Sequence, residues 1–170
     1  MYSRVMQISL AADMSRTSIR RSDLEIDTII RDARPWLYRL ALSITSSPEV
    51  AEDVAQEALI RATRSREKLR NIIEPRAWLR SVVVRCAITA LSQRTDVSGF
   101  GETTNNDPTD SMAVRQILCR MEPMDRAILA LAHFEELSYA EIGLSLDIPV
   151  GTVASRLHAA REAFRKEWRK

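Results

Sequence analysis

The sequence predicts an all-α chain made of two small helical bundles joined by a flexible linker. Three observations predict it. Glycine is scarce, with four in 170 residues (Gly99, Gly101, Gly143 and Gly151), whereas an all-β fold needs many tight turns. Apolar residues recur at helical spacing through most of the chain. Pro48, Pro75 and Pro123 each stand where a helix can begin, at a position whose missing N–H costs nothing.

The helices follow in order. The first runs from Asp23 to Ile44: Leu24, Asp27 and Ile30 begin it, and Leu37, Leu40, Ala41 and Ile44 continue an apolar stripe. Pro35 lies inside and is expected to kink or divide it. Ser47 reads as the N-cap of a second helix, Pro48 to Leu69. Val50, Val54, Ala58 and Arg61 share one side of it, while Glu52, Asp53, Gln56 and Glu57 form an acidic, polar surface. The third helix runs from Pro75 to Ser92 with a broad apolar face; its flanking period outweighs the β-prone Val82-Val83-Val84. These three make a bundle of about 70 residues, near the lower limit for independent folding.

Thr95 to Asp110 breaks every period and reads as a linker. A second bundle follows, with helices over Asp110–Met121, Pro123–Glu135, Ser138–Leu146 and Val150–Trp168. The division is a loosely ordered tail over 1–21, a first module over 22–94, a linker over 95–110 and a second module over 111–170. No internal repeat is visible.

Composition excludes several classes. Hydrophobic residues are 45% and charged residues 28%, which is globular rather than disordered. No uncharged apolar run reaches the ~18 to 20 residues of a membrane span, so no membrane insertion is expected. Met1 to Arg21 carries four Arg and no apolar core, unlike a secretory signal. Cys86 and Cys119 are far apart and unpatterned, which speaks against a disulfide scaffold or a zinc site and for buried, inert thiols. The chain therefore reads as cytoplasmic. His133 and His158 have no metal-ligand company, and no phosphate loop, nucleophilic triad or carboxylate pair is present; no metal, cofactor or catalytic residue is expected.

Charge is distributed unevenly. The net is +2 overall, but +5 over 1–95, −4 over 96–110, −3 over 111–149 and +4 over 150–170. Arg outnumbers Lys by 22 to 3, and Arg suits bidentate contact with phosphates and base edges.

The segment 138–158 is the most informative. Ser138 and Glu141 make a capping box that opens a short helix. Asp147-Ile148-Pro149-Val150 is a brief turn, and a basic helix follows with Val153, Leu157, Ala160 and Phe164 on its inner face. The pattern is that of a helix-turn-helix, in which the second helix would be the DNA reader. Ala154, Ser155, His158, Arg161, Glu162 and Arg165 point outward. Thr152 sits at the N-terminus, where the dipole favours a phosphate. Arg156 lies nearer the core edge, toward a phosphate or an intramolecular acid. A solvated basic face on an ordinary helical hairpin is the plainer alternative.

The chain resembles bacterial RNA polymerase sigma factors of the extracytoplasmic-function (ECF, sigma-70 family) type. The matching words are Ser138-Tyr139-Ala140-Glu141-Ile142, Pro149-Val150-Gly151-Thr152-Val153, Ser155-Arg156-Leu157-His158 and Ala160-Arg161 in the second bundle. In the first they are Leu37-Tyr38-Arg39-Leu40-Ala41, Ala51 through Ala58, and Arg76-Ala77-Trp78-Leu79.

The resemblance implies a function for each face. Asp53, Gln56 and Glu57 match the acidic helix that docks on core polymerase at a β′ coiled coil. Residues 69–74 and the third helix match the part that reads and opens the −10 element, with Arg76, Trp78, Arg80 and Arg85 as candidates. Trp78 suits the core, and Arg76 and Arg80 suit phosphates. Thr152, Ser155, Arg156, His158, Arg161 and Arg165 match the −35 reader. The linker matches one that threads toward the polymerase active site and exit channel. Implied partners are the β′ and β subunits of core polymerase, promoter DNA and an anti-sigma factor.

The chain departs from the usual pattern at Arg85, Thr89, Ala154, Asp147 and Gly143. The first three bear on promoter reading. Asp147 tolerates the left-handed turn. Gly143 for Ala carries a modest cost in helix propensity. Two other functions compete: a stand-alone helix-turn-helix regulator at an operator, and a helical protein-interaction module.

Overall fold

The structure is a computed structural model that describes residues 20–93 and 110–169, with residues 110–112 given by backbone alone. All of the expected linker but Asp110, and almost all of the expected tail, lie outside the described residues. The described residues form eight helices and no strands: α1 (Asp23–Thr45), α2 (Pro48–Arg64), α3 (Arg66–Asn71), α4 (Pro75–Gln93), α5 (Asp110–Arg120), α6 (Pro123–His133), α7 (Tyr139–Leu146) and α8 (Val150–Trp168).

α1, α2 and α4 pack on one another, with α3 closing one end. Ser22 starts α1 with a capping box: its hydroxyl accepts from the Glu25 N–H, and the Glu25 carboxylate accepts from the Ser22 N–H. Pro35 does not divide α1. It removes one ladder bond, but Ala33, Trp36, Leu37, Leu40, Ala41 and Ile44 bury one continuous face across it. Each large apolar side chain so buried contributes about 1.5–3 kcal/mol. Leu24 is exposed, and Ile26, two residues on, is the fully buried residue of the first turns, so the buried stripe starts there rather than at Leu24 as expected.

The expected second helix is two. Its regular part ends at Arg64, and α3 turns away after Ser65. Leu69 on α3 is fully buried; Arg66 pairs with Asp27 and Arg70 with Asp23, tying α3 to the start of α1.

α4 is buried on most sides. Leu79, Ser81, Val82, Val83, Val84, Cys86 and Ala87 are all buried, because α4 packs on α1 and α2 and also on α6 and α7. A β-prone valine triplet is stable as helix there because each valine meets a partner.

α5 to α8 form the second group, around Ile128, Leu131, Ile142, Val153, Leu157 and Ala160, all fully buried. The two groups are in contact: α1 meets α6, and α4 meets both α6 and α7.

Candidate DNA-reading and polymerase-docking faces

The helix-turn-helix is α7, its turn and α8. Ser138 caps α7, and its hydroxyl and backbone N–H hold the Glu141 carboxylate at 2.6 and 2.9 Å. Those bonds keep the Glu141 carboxyl below the usual range. The turn passes through Asp147 in the left-handed region (φ 57°), as the sequence allows. The Ile148 N–H closes the turn on the Gly143 carbonyl at 3.0 Å.

Gly143 has a reason beyond propensity. A Cβ there would stand 2.9 Å from the Ile148 carbonyl oxygen, closer than real Cβ atoms come. The tight turn requires the missing side chain.

On α8, Val153, Leu157 and Ala160 face the core as expected, with Phe164 partly buried and its ring stacked on Trp168 at 6.1 Å between centroids. Ser155, Arg156, His158 and Arg165 are exposed; Thr152 and Arg161 are half-buried. Arg156 reaches Asp125 at 3.6 Å, the intramolecular acid that its edge position suggested. Arg161 Nε donates to His133 Nε2 at 3.3 Å, and Arg165 pairs with Glu162. No side chain caps the start of α8, where Pro149 holds the N-cap position. Its first N–H groups therefore have no side-chain acceptor.

The acidic face lies on α2. Glu52, Asp53 and Gln56 are exposed and Glu57 is half-buried. Glu52 pairs with Arg34 at 2.8 Å and Glu57 with Arg61 at 2.6 Å.

The four residues expected at the −10 face are differently placed. Arg76 is exposed, with its guanidinium 4.6 Å above the ring of Trp36. Trp78 is half-buried against the core. Arg85 donates from Nε to the Ser81 carbonyl at 3.0 Å. Arg80 is not on an open surface: its Nε lies 3.4 Å from Glu135 Oε2, with the two side chains 11% and 6% exposed.

Two residues at this place escaped the sequence reading. Glu135 also accepts from the Trp36 indole N–H at 2.8 Å, so one carboxylate holds two side chains of the first group. Glu135 is presented by the turn that ends α6. Glu136 takes a left-handed conformation (φ 53°) and the Leu137 N–H reaches back to the Leu131 carbonyl at 3.1 Å. No local motif marks Glu135 or Trp36, because they meet across 99 residues of sequence.

Cys86 is buried, and desolvation pushes its thiol up; Cys119 is half-buried. Among the described residues no three His, Cys, Asp or Glu side chains are placed to hold a metal ion, and no helix is long and apolar enough to cross a membrane.

A helical group with an exposed acidic face, joined in one chain to a helix-turn-helix, fits a two-part transcription factor. Comparison gives the family. The Sigma-70 region 2 family matches residues 29–96, and the Sigma-70 region 4 family matches residues 111–164. The ECF RNA polymerase sigma factor SigL of Mycobacterium tuberculosis is 33% identical over 142 residues, covering 76% of this chain and 80% of SigL. SigW of Bacillus subtilis, also an ECF RNA polymerase sigma factor, is 28% identical over 155 residues, covering 78% and 83%. A Bartonella quintana sigma factor RpoE, solved in complex with the anti-sigma factor NepR, shares the fold with a TM-score of 0.68 at 19% identity, over 85% of this chain and 97% of that one. The chain belongs to the ECF sigma factors of the sigma-70 family. Its function is that of a sigma factor: it binds core RNA polymerase and directs promoter-specific initiation. The family consists of non-enzymatic initiation factors.

Proposed function

We propose that this chain divides the sigma task among three faces. Asp53, Gln56 and Glu57 on α2 dock on a basic coiled coil of the polymerase β′ subunit. Charge complementarity of this kind fixes register and speeds encounter. Residues 69–74, with Arg76, Trp78, Arg80 and Arg85 on α4, read and hold the opened −10 strand. Thr152, Ser155, Arg156, His158, Arg161 and Arg165 on α8 read the −35 duplex from the major groove.

The observation that carries this reading is the outward face of α8. Ser155, Arg156, His158 and Arg165 are exposed together on the helix that follows the turn, beside a helix start with no side-chain cap. Phosphate contacts by Arg make such binding salt-dependent.

The modules are 22–94 and 111–170, with the acidic segment 95–110 between them running toward the polymerase active site and exit channel. The chain itself catalyses nothing; the polymerase forms the bonds. It works in the cytoplasm, where the polymerase is. An anti-sigma factor is a further expected partner, by likeness to the RpoE–NepR pair.

Footprinting tests the reading. Holoenzyme made with this chain is expected to protect two blocks on a bound genomic fragment, centred near −35 and −10. Protection of one block, present without polymerase, would instead mark an operator-binding regulator.

A further inference from the structure

We infer that Arg21 is a positioning residue for −10 reading. Its backbone N–H donates to the Arg70 carbonyl at 3.1 Å. Its guanidinium donates to the carbonyls of Leu69 (3.4 Å), Ile72 and Ile73 (3.1 Å). These carbonyls end α3 and enter the loop that leads into α4 at Pro75. They include groups the helix end leaves without intrahelical donors. A planar fork satisfies several such carbonyls at once, which a lysine ammonium cannot do with the same fixed geometry. Two ion pairs, Arg66 with Asp27 and Arg70 with Asp23, anchor the same short helix to α1. The loop is thereby fixed from its carbonyl side, and the side chains of residues 71–74 are held in one presentation. Arg21 acts through the loop and touches no DNA.

This inference rests on the reading of residues 69–74 as part of the −10 reader. The test compares wild type, Arg21→Lys and Arg21→Ala as full-length holoenzymes. Each is assayed on one promoter and on its single-base −10 variants, beside core affinity and thermal stability. Arg21→Ala is expected to lower the ratio of rates between the best and substituted −10 sequences several-fold, with core affinity unchanged; Arg21→Lys falls between. A merely structural role would lower all templates alike and leave the ratio at its wild-type value, which overturns the inference. A wild type with no −10 preference overturns the underlying reading instead. If Arg21→Ala folds poorly, the Arg21→Lys ratio decides in the same way.

A separate observation carries a second inference: Glu135 latches the two modules in a closed state that covers part of the −10 face. One buried carboxylate joins Arg80 of α4 and Trp36 of α1 to the end of α6. The pair leaves the Arg80 side chain only 11% exposed, so a DNA strand that uses Arg80 requires the modules to separate. Separation frees Arg80 for a phosphate.

Small-angle scattering and binding of a single-stranded −10 oligonucleotide test the latch on the free full chain. Glu135→Ala and Trp36→Phe are expected to enlarge the radius of gyration and tighten oligonucleotide binding several-fold, Glu135→Ala more. Unchanged dimensions in both variants, with helical content retained, overturn the latch. Expansion without oligonucleotide binding supports the latch and counts against the −10 assignment.

Discussion

Arg80 and Glu135 meet at 3.4 Å, nearly closed from solvent, where α4 touches the second group of helices. Removing one partner of a buried pair ordinarily costs about 3–5 kcal/mol, because the survivor stays buried and unpaired. Here the modules can part and return Arg80 to water. The expected result for Glu135→Ala is therefore lost coupling rather than global unfolding. In calorimetry the coupled melting of the two modules should resolve into two separate transitions, one for each module. A single cooperative transition displaced downward as a whole would contradict this.

Arg161→Ala should weaken −35 duplex binding by about 1–3 kcal/mol and reduce the salt slope by about one, if Arg161 contributes one phosphate or base contact. Core binding should stay nearly intact. Its present partner is His133 at 3.3 Å, an exposed contact of small consequence for the fold. Equal loss of core and −35 binding would show that the variant damages the module as a whole.

Replacing Asp53 and Glu57 with Lys should do the reverse. Asp53 is exposed, and Glu57 has one half-exposed partner, Arg61. Losing such an i,i+4 pair costs about 0.3–0.5 kcal/mol and setting a like charge beside Arg61 about as much again, so helical content should persist. Affinity for core polymerase should collapse. Unaltered affinity in a binding titration removes this face from the account.

Gly143→Ala sets propensity against sterics. Ala is favoured over Gly in a helix by about 1 kcal/mol. The added Cβ would meet the backbone oxygen of Ile148 at 2.9 Å, and backbone yields little. Overpacking of this kind costs about 1–3 kcal/mol, so a net loss is expected. A chemical-denaturation midpoint at or above wild type would show that the turn relaxes freely.

Acid should loosen two helix starts together. Glu25 and Glu141 have carboxyls lowered by their bonds to Ser22 and Ser138. A lowered folded-state pKa means stability that is present above the unfolded pKa and lost as pH falls through the folded one. Stability should therefore decline on acidification below the ordinary carboxylate range. Ser138→Ala should cost about 1 kcal/mol at neutral pH and flatten that decline. An equal acid slope in wild type and variant would exclude the capping box as a contributor.

The helix-turn-helix was legible because every part of it is local. A capping box, a left-handed Asp147 and an i, i+3, i+4 stripe all act within a few residues. The α2–α3 break at Ser65 was not, because the apolar period continues through it to Leu69. Arg21 read as tail, since its acceptors lie 48 to 52 residues away. Arg80 read as a phosphate contact because sequence gives no sign that Glu135 covers it 55 residues on. Gly143 looked like a small loss of propensity until the Ile148 carbonyl gave it a steric role. What was missed depends on tertiary approach, which residue spacing does not encode.

The most direct measurement is initiation in vitro. Core polymerase, with and without this chain, would transcribe genomic fragments, and the RNA 5′ ends would be mapped. The account predicts new starts that share two upstream motifs at fixed spacing, lost when Asp53 and Glu57 become Lys. No new starts, from folded protein and a polymerase active with a control sigma factor, would contradict it.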